Sequence, residues 1–185
     1  MSNIIQDRDN KKIMIMGLDN SGKSTILLSL REGTNLLSYL SLKPTRGVNI
    51  DNFKGPQSDM IIWEFGGQEQ YRQEYLDNFD RYFDEVDNII YVIDIQDIER
   101  YELSLEYFKN IIKLLRENNV KVDITIYFHK YDPLLTKQDI FKDIDKVSTP
   151  RLIKNITEII PSGYKCKIFK TTIYTIFEKS LIINL

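Results

Sequence analysis

The segment that most constrains this chain is residues 17–24, which read GLDNSGKS and fit the phosphate-binding pattern G-x-x-x-x-G-K-[ST] without a gap. An apolar run at 13–16 precedes it and is typical of a buried strand, and the stretch 24–31 favours a helix. Glycines in such a loop let successive backbone N–H groups turn toward an anion, and the helix N-terminus adds partial positive charge. In this pattern Lys23 reaches the β- and γ-phosphates, and the Ser24 hydroxyl binds Mg²⁺. The sequence therefore predicts a nucleoside triphosphate site.

Composition narrows the class of protein. The 185 residues fit one domain, 1–185, and 42% of them are hydrophobic, which is enough for an ordinary core. A net charge of −2 provides no basic surface, so no nucleic-acid partner is expected. Cys166 is the only cysteine of the sequence. A single cysteine rules out an intramolecular disulfide and a cysteine-rich metal site, and it favours a reducing, cytoplasmic setting.

The sequence predicts no intrinsic membrane anchor. No apolar run approaches the roughly 18 residues that a membrane span needs. Charged residues at 7–9 follow Ile4 and Ile5 after a single glutamine, unlike in a signal peptide. Ser2 stands where N-myristoylation needs glycine, and residues 182–185 offer no cysteine for a prenyl group.

Apolar strands alternate with amphipathic helices along the chain. The strands are predicted at 13–16, 48–53, 60–65, 88–93, 122–128 and 165–169, with an antiparallel hairpin turning at Lys54-Gly55-Pro56 between the second and third. The helices are predicted at 24–31, 68–83, 99–118, 137–147, 151–160 and 173–182, with breaks at Pro150 and Pro161. The apolar face of the helix 99–118 is predicted to consist of Leu103, Tyr107, Ile111, Leu114 and Leu115. This pattern predicts an α/β fold, namely a doubly wound, mostly parallel six-stranded sheet with helices on both faces.

Four further motifs accompany the predicted strands. PTRG at 44–47 lies between the first helix and the second strand, and WEFGGQE at 63–69 ends the third strand. FHKYD at 128–132 ends the fifth strand, and KTTIY at 170–174 follows the last one. In a doubly wound sheet the ligand lies at the carboxyl ends of the strands, so these motifs are expected to meet at one site.

Together the five motifs resemble those of the small GTPases of the Ras superfamily. The phosphate loop and Pro-Thr-x-Gly are similar to the Arf-like form, whereas His-Lys-x-Asp and Thr-Thr-Ile are similar to the Rag form. The motif at 63–68 resembles both branches, so the sequence does not assign the chain to one of them. The resemblance covers nearly the whole chain. It implies a P-loop G domain whose cofactors are GTP or GDP and Mg²⁺.

The resemblance also implies roles at the phosphates. Ser24 and Thr45 would bind Mg²⁺, and the Thr45 backbone N–H would bond the γ-phosphate, so that its loop is released after hydrolysis. Gly67 would donate its N–H to the γ-phosphate, and Gln68 would be the catalytic residue that orients the attacking water. The other residues expected around the phosphates are Asp19, Asn20, Ser21, Gly22, Lys23 and Thr25.

Guanine selection would fall to the last two motifs. Asp132 can accept hydrogen bonds from guanine N1–H and from its 2-amino group, whereas adenine offers neither and would leave the carboxylate unpaired. Lys130 would lie along the base plane, and the Thr172 backbone N–H would bond guanine O6 with Ile173 beside it. His129 would tether loops in place of the usual asparagine, and its direct contact with the base stays open.

Several positions allow more than one interpretation. Glu64 stands where the resembled families carry aspartate, and being one methylene longer it would be tolerated, crowd Mg²⁺ or bind it directly. Arg46 and Arg72 are expected to be exposed and to contact partners, so that any arginine finger would come from another protein. The charge run 94–100 is expected to be a solvated helix start. Five aromatic residues would form a partner surface or simply pack: Tyr71, Tyr75, Phe79, Tyr82 and Phe83.

The leading hypothesis is a GTP-binding switch with slow intrinsic GTP hydrolysis. Exchange factors, GTPase-activating proteins and effectors are expected at residues 38–50 and 66–84, and the Rag resemblance makes dimerisation conceivable. One alternative is a scaffold that binds guanine nucleotide without hydrolysing it, which the substitutions at Glu64 and His129 would favour. Another is a P-loop ATPase or kinase, against which Asp132 behind Lys130 argues.

Overall fold

The computed structural model describes residues 10–54 and 58–174. One six-stranded sheet has the order β2-β3-β1-β4-β5-β6, in which β2 pairs with β3 antiparallel and the other neighbouring strands are parallel. The strands are β1 (Asn10–Met16), β2 (Val48–Phe53), β3 (Asp59–Phe65), β4 (Asn88–Asp94), β5 (Asp123–His129) and β6 (Cys166–Lys170). The predicted sheet and its antiparallel second and third strands are confirmed.

Helices cover both faces of this sheet, as predicted. They are α1 (Lys23–Ser29), α2 (Leu36–Leu40), α3 (Glu69–Asp77), α4 (Phe79–Phe83), α5 (Tyr101–Glu117) and α6 (Thr149–Ile159). Side chains alternate along a strand, so Met14 and Met16 of β1 join the larger core with α3 to α6, while Ile15 points to the opposite face. There Ile15 packs in a smaller core with Leu27 of α1.

Three helix predictions need correction. The segment 137–147, predicted to be helical at least in part, lies in a region of short 3₁₀ turns, Leu135–Lys137 and Asp139–Phe141, followed by a π-helical segment, Ile144–Ser148. Pro150 does not break a helix, because it lies in the first turn of α6, which follows the π-helical segment Ile144–Ser148 without a gap. The helix predicted at 68–83 is divided at Asn78, whose φ of −115° and ψ of 46° are not helical.

Other differences concern single residues and segment ends. Leu103, predicted on the apolar face of α5, is 40% exposed, whereas Ile111 and Leu115 are buried there as expected. The hairpin turn around Gly55 and Pro56 lies outside the described residues. The predicted helix at 173–182 also lies outside them, apart from its first two residues, which are not helical.

Candidate functional site

The phosphate loop leaves β1 and enters α1 at the edge of the sheet where the carboxyl ends of the parallel strands meet. Gly22 precedes α1 with a φ of +95°, and a Cβ atom there would lie 2.4 Å from Cδ2 of His129. Only glycine combines this left-handed backbone with such a close approach to a neighbouring side chain. The loop therefore depends on Gly22 for its curvature and for its packing against the end of β5.

Lys23 lies at the base of this loop without a carboxylate partner in hydrogen-bonding distance among the described residues. Its Nζ donates to the carbonyl oxygens of Gly17 at 3.1 Å and Leu18 at 2.7 Å. Burial lowers the pKa of Lys23 to about 8, although the charges of Glu64 and Asp19 act in the opposite direction. A buried ammonium held only by neutral oxygens can gain strongly from an anion.

Three side-chain oxygens converge beside the loop at the position predicted for Mg²⁺. Ser24 Oγ lies 3.2 Å from Thr45 Oγ1, and Thr45 donates to Glu64 Oε1 at 2.9 Å. Ser24 also donates to the same Glu64 oxygen. Glu64 is only 3% exposed, so its carboxylate is fixed inside the site. Oxygen ligands of this kind suit Mg²⁺, and the residues present fit that ion.

The end of β3 ties the loop at 44–47 to the phosphate loop. The Gly66 N–H and the Tyr75 hydroxyl both donate to the Gly47 carbonyl, at 2.9 and 2.8 Å. Gly67 lies against the phosphate loop so closely that a Cβ atom on it would be 2.1 Å from the Asp19 nitrogen. Gln68 follows, and its buried Oε1 has no hydrogen-bond partner among the described residues. The predicted water-orienting side chain thus has an uncommitted acceptor.

Gly67→Ala is expected to destabilise the fold by about 1–3 kcal/mol, because the new methyl group overlaps backbone that a side-chain rotation cannot move aside. Urea denaturation measures this loss. Gly33→Ala is the control, since a Cβ there meets open space, and its cost should be limited to its positive φ. A Gly67→Ala variant as stable as the wild type would contradict the close approach at Gly67.

One cavity of about 430 Å³ collects the predicted phosphate and metal residues. Its lining includes Asp19, Asn20, Gly22, Lys23, Ser24, Thr25, Thr45, Glu64, Gly67 and Gln68. Ser21 is buried, and its Oγ lies 3.4 Å from Lys23 Nζ. A larger groove of about 920 Å³ lies between α5 and α6, away from every predicted site residue.

The predicted base-recognition residues form a second cluster beside this cavity. Lys130 Nζ donates to the Asn20 carbonyl at 2.8 Å and pairs with Asp94 Oδ2 at 2.7 Å, which joins the cluster to the phosphate loop. Asp132 accepts from the Thr172 hydroxyl at 2.5 Å and from Gln96 Nε2 at 2.7 Å. The two clusters are therefore adjacent, because Asn20 lines the phosphate cavity and its carbonyl accepts from Lys130 of the second cluster.

His129 ties three parts of the site together. It is 3% exposed, its Nδ1 lies 3.0 Å from Thr171 Oγ1, and its ring packs under Gly22. Burial, together with the nearby Lys130 charge, lowers the pKa of His129, so the neutral ring is favoured at pH 7. This geometry supports the predicted tethering role. Ile173 lies half-buried in the adjoining segment.

The charge run at 94–100 contacts the candidate site, so its prediction as a solvated helix start is wrong. Asp94 pairs with Lys130, Gln96 bonds Asp132, and Arg100 Nη1 donates to Asp19 Oδ1 at 3.0 Å. All three belong to the candidate site, although no motif of the sequence includes them. Their position directly after β4, a central parallel strand, was the available signal, because ligands in such folds lie beyond the carboxyl ends of the strands.

The second expected partner segment, residues 66–84, corresponds to the predicted second switch and is more buried than predicted. Arg72, expected to be exposed, is 9% exposed, and its guanidinium lies 5.4 Å from the centre of the Tyr107 ring. Four of the five aromatic residues considered for a partner surface are core residues: Tyr75, Phe79, Tyr82 and Phe83. Of the two possibilities, a partner surface or packing in the core, these four side chains therefore fit packing. Arg46 is exposed, as predicted.

The fold and the site define a P-loop G domain of the Ras superfamily. The Gtr1/RagA G protein conserved region matches residues 12–184 of the sequence. The chain therefore belongs to the Gtr1/RagA G protein family.

Individual relatives come from the Arf-like branch. The chain is 35% identical over 121 residues to ADP-ribosylation factor-like protein 3 of Chlamydomonas reinhardtii, a match that covers 65% of this chain and 63% of that protein. The matched region is thus less than two thirds of the relative's length. The chain is also 28% identical to ADP-ribosylation factor F of Dictyostelium discoideum over 144 residues, or 77% of this chain and 72% of that one.

A solved structure supports the fold independently. The Arl6 BBS3 small GTPase from Trypanosoma brucei, determined with the nucleotide analogue GppNp, superposes with a TM-score of 0.62. It is 19% identical, and the match covers 88% of this chain and 87% of that one. No helix in the described part of our structure has the length and apolar character of a membrane span.

Proposed function

We propose that this protein is a GTP-binding switch that hydrolyses GTP slowly with the help of Mg²⁺ and changes partners between its two nucleotide states. The observation that carries the proposal is the adjacency of two clusters across Asn20. One is the phosphate cavity with Lys23, and the other is the carboxylate of Asp132 behind Lys130. Membership of the Gtr1/RagA family supports it.

Phosphate binding would rest on Lys23 and the loop amides. Lys23 exchanges its neutral carbonyl partners for phosphate oxygens, which supply the charged hydrogen-bond partner that it lacks among the described residues. Ser24, Thr45 and Glu64 would hold Mg²⁺, which neutralises charge on the phosphate oxygens when it is bound. The Thr45 loop follows the nucleotide state because Gly66 and Tyr75 connect it to the second switch.

Hydrolysis would rest on Gln68. A water molecule attacks the γ-phosphorus in line, its bond to that atom forms, and the bond from the γ-phosphorus to the bridging oxygen breaks, leaving GDP and phosphate. Gln68 would orient this water through Oε1, which accepts a hydrogen bond from one of its O–H groups and has no other partner among the described residues. Positioning is the main contribution of the protein to this reaction, so a single side chain at the cavity edge suffices for a slow rate.

Glu64→Gln is expected to raise the Mg²⁺ concentration needed to retain nucleotide by about 10-fold or more. The reason is that the substitution removes the charge that accepts from both predicted metal-ligand hydroxyls. The rate of GDP release, followed by fluorescence across a series of free Mg²⁺ concentrations, measures the effect. Glu69→Gln at an exposed neighbouring position is the matched control. Identical Mg²⁺ curves for Glu64→Gln and Glu69→Gln would exclude Glu64 from the metal site.

A second candidate function is a scaffold that holds guanine nucleotide without turnover. The observation in its favour is Glu64, because one of its carboxylate oxygens already accepts from both hydroxyls that would bind the metal. Multiple-turnover and single-turnover GTP hydrolysis with Mg²⁺ separates the two functions. Release of phosphate that depends on Gln68 supports the switch. Bound GTP that stays intact in a single-turnover experiment supports the scaffold.

The proposal also covers the cellular location of the protein and its partners. A cytoplasmic location agrees with the single cysteine. Exchange factors, GTPase-activating proteins and effectors would contact residues 38–50 and 66–84, where the exposed side chains include Leu40, Arg46 and Ile50. The residues 1–185 would form a single G domain, and dimerisation is part of the proposal only through the family resemblance.

A further inference from the structure

The turn after β4 places one side-chain amide on the carboxylate proposed to select guanine. Gln96 Nε2 donates to Asp132 Oδ2 at 2.7 Å and to the Lys130 carbonyl at 2.7 Å. An amide nitrogen carries two N–H groups, so both are used. The Gln96 backbone N–H in turn bonds Asp94 Oδ1 at 2.9 Å, which fixes where the side chain starts.

The number of hydrogen bonds that the Asp132 carboxylate can accept explains why its contact with Gln96 matters. A carboxylate offers about four acceptor positions, two on each oxygen. Gln96 takes one position on Oδ2, and the Thr172 hydroxyl takes one on Oδ1 at 2.5 Å. Within the described ranges 10–54 and 58–174, no other group donates to this carboxylate, so one position remains on each oxygen. Two adjacent free acceptors match the two neighbouring N–H donors on the guanine edge, at N1 and at the 2-amino group.

Residues at the end of β4 and in the turn after it also contact Lys130, the other predicted base-recognition residue of the FHKYD motif. Asp94 pairs with Lys130 Nζ, and the Lys130 backbone has a φ of +60°, a conformation that few non-glycine residues adopt. Gln96 bonds the carbonyl of this residue. Two side chains of the β4 turn therefore hold the strained loop and orient its carboxylate.

We propose that Gln96 is a positioning residue for base selection, because it fixes the Asp132 carboxylate so that one acceptor on each oxygen faces the guanine edge. This inference rests on the proposed guanine site and identifies what gives that site its rigidity. Gln96 acts through Asp132 and need not contact the nucleotide. Its loss should therefore weaken recognition of the base and leave recognition of the phosphates intact.

The test compares Gln96→Met with the wild-type protein in equilibrium titrations with GDP, ADP and pyrophosphate, all with Mg²⁺. We expect Gln96→Met to weaken GDP binding about 10-fold or more, as for the loss of one hydrogen bond to a charged group, with pyrophosphate binding changed less than about twofold. Gln138→Met, at an exposed position with the same chemical change, should leave both affinities unaltered.

A double-mutant cycle with Asp132→Asn tests whether Gln96 acts through the carboxylate. Gln96→Met should have little further effect on GDP affinity in the Asp132→Asn background. An undiminished effect in that background, unchanged GDP affinity in the single variant, or an equal loss for pyrophosphate would each overturn the inference. A wild-type protein that binds ADP as tightly as GDP would overturn the proposed function as well, which distinguishes the two failures.

Discussion

Replacing Asp132 with asparagine is expected to lower the affinity for GDP by about 10²–10⁴-fold, the largest change we expect from any single substitution. Two hydrogen bonds from guanine to a charged acceptor are lost, each worth about 1.5–3 kcal/mol. An asparagine amide can also turn its own N–H donors toward guanine N–H groups, which gives no bond at all. The side chain keeps its size, so Thr172 and Gln96 remain around it.

The measurement for Asp132→Asn is a competition series with GDP and xanthosine diphosphate. Xanthine carries a carbonyl at C2 where guanine has its amino group, so the asparagine N–H can bond it. We expect xanthosine diphosphate to bind the variant more tightly than GDP does, a reversal of the wild-type order. Asp139→Asn, at an exposed position, should bind GDP like the wild type. Unchanged GDP affinity in Asp132→Asn would remove Asp132 from the base site.

Gln68→Leu is expected to slow single-turnover GTP hydrolysis by about 100-fold or more, with nucleotide affinity changed less than about twofold. A positioned group that handles the attacking water typically contributes factors of this size. Leucine retains the bulk of the side chain and removes the acceptor that orients water. Since Oε1 of Gln68 is buried without a hydrogen-bond partner in the described part of the chain, its removal should not lower the stability of the fold.

Phosphate release under single-turnover conditions and thermal unfolding together test this expectation. Gln70→Leu is the matched control, because it makes the same change two residues away at an exposed position of α3. Hydrolysis by Gln70→Leu should equal that of the wild type. If Gln68→Leu hydrolyses GTP at the wild-type rate, the catalytic assignment is wrong and another group must orient the water.

The sequence predicted the architecture well because its signals are local and redundant. The β-branched run in β4 and the apolar runs in β1 and β5 can be buried on both faces only in a mostly parallel sheet, and the structure buries Ile89, Val92 and Ile126. The phosphate loop is equally local, because its glycines and Lys23 act within eight consecutive residues. Such short-range patterns can be recognised from the sequence without any knowledge of tertiary contacts.

The missed parts of the site depend on contacts between distant segments. Gln96 and Asp132 are 36 residues apart in sequence, and Arg100 reaches Asp19 across 81 residues. A run of charged residues suggests solvent exposure when it is considered alone. Only the pairing of β4 with β1 and β5 reveals that this run faces the phosphate loop and the recognition motif.

Burial of Arg72 illustrates the same limit in the second switch. An arginine in an amphipathic segment is expected at the surface, yet its guanidinium lies over the Tyr107 ring of α5. The neighbouring aromatic residues are core residues for a related reason, since Phe65, Tyr75 and Tyr82 contact one another edge to face. Their side-chain types fit a partner surface and a core equally well, and only the packing decides.

The most direct test of the central claim is the identity of the nucleotide that the purified protein carries. The protein is denatured, the released nucleotide is identified by chromatography, and refilled protein is then titrated with GTP, GDP and ATP in competition. We expect GDP or GTP to be released and ATP to compete at least 100-fold more weakly, because adenine leaves the Asp132 carboxylate unpaired. Equal competition by ATP, or no bound nucleotide and no preference for guanine, would contradict the account and leave a G-domain fold without the switch.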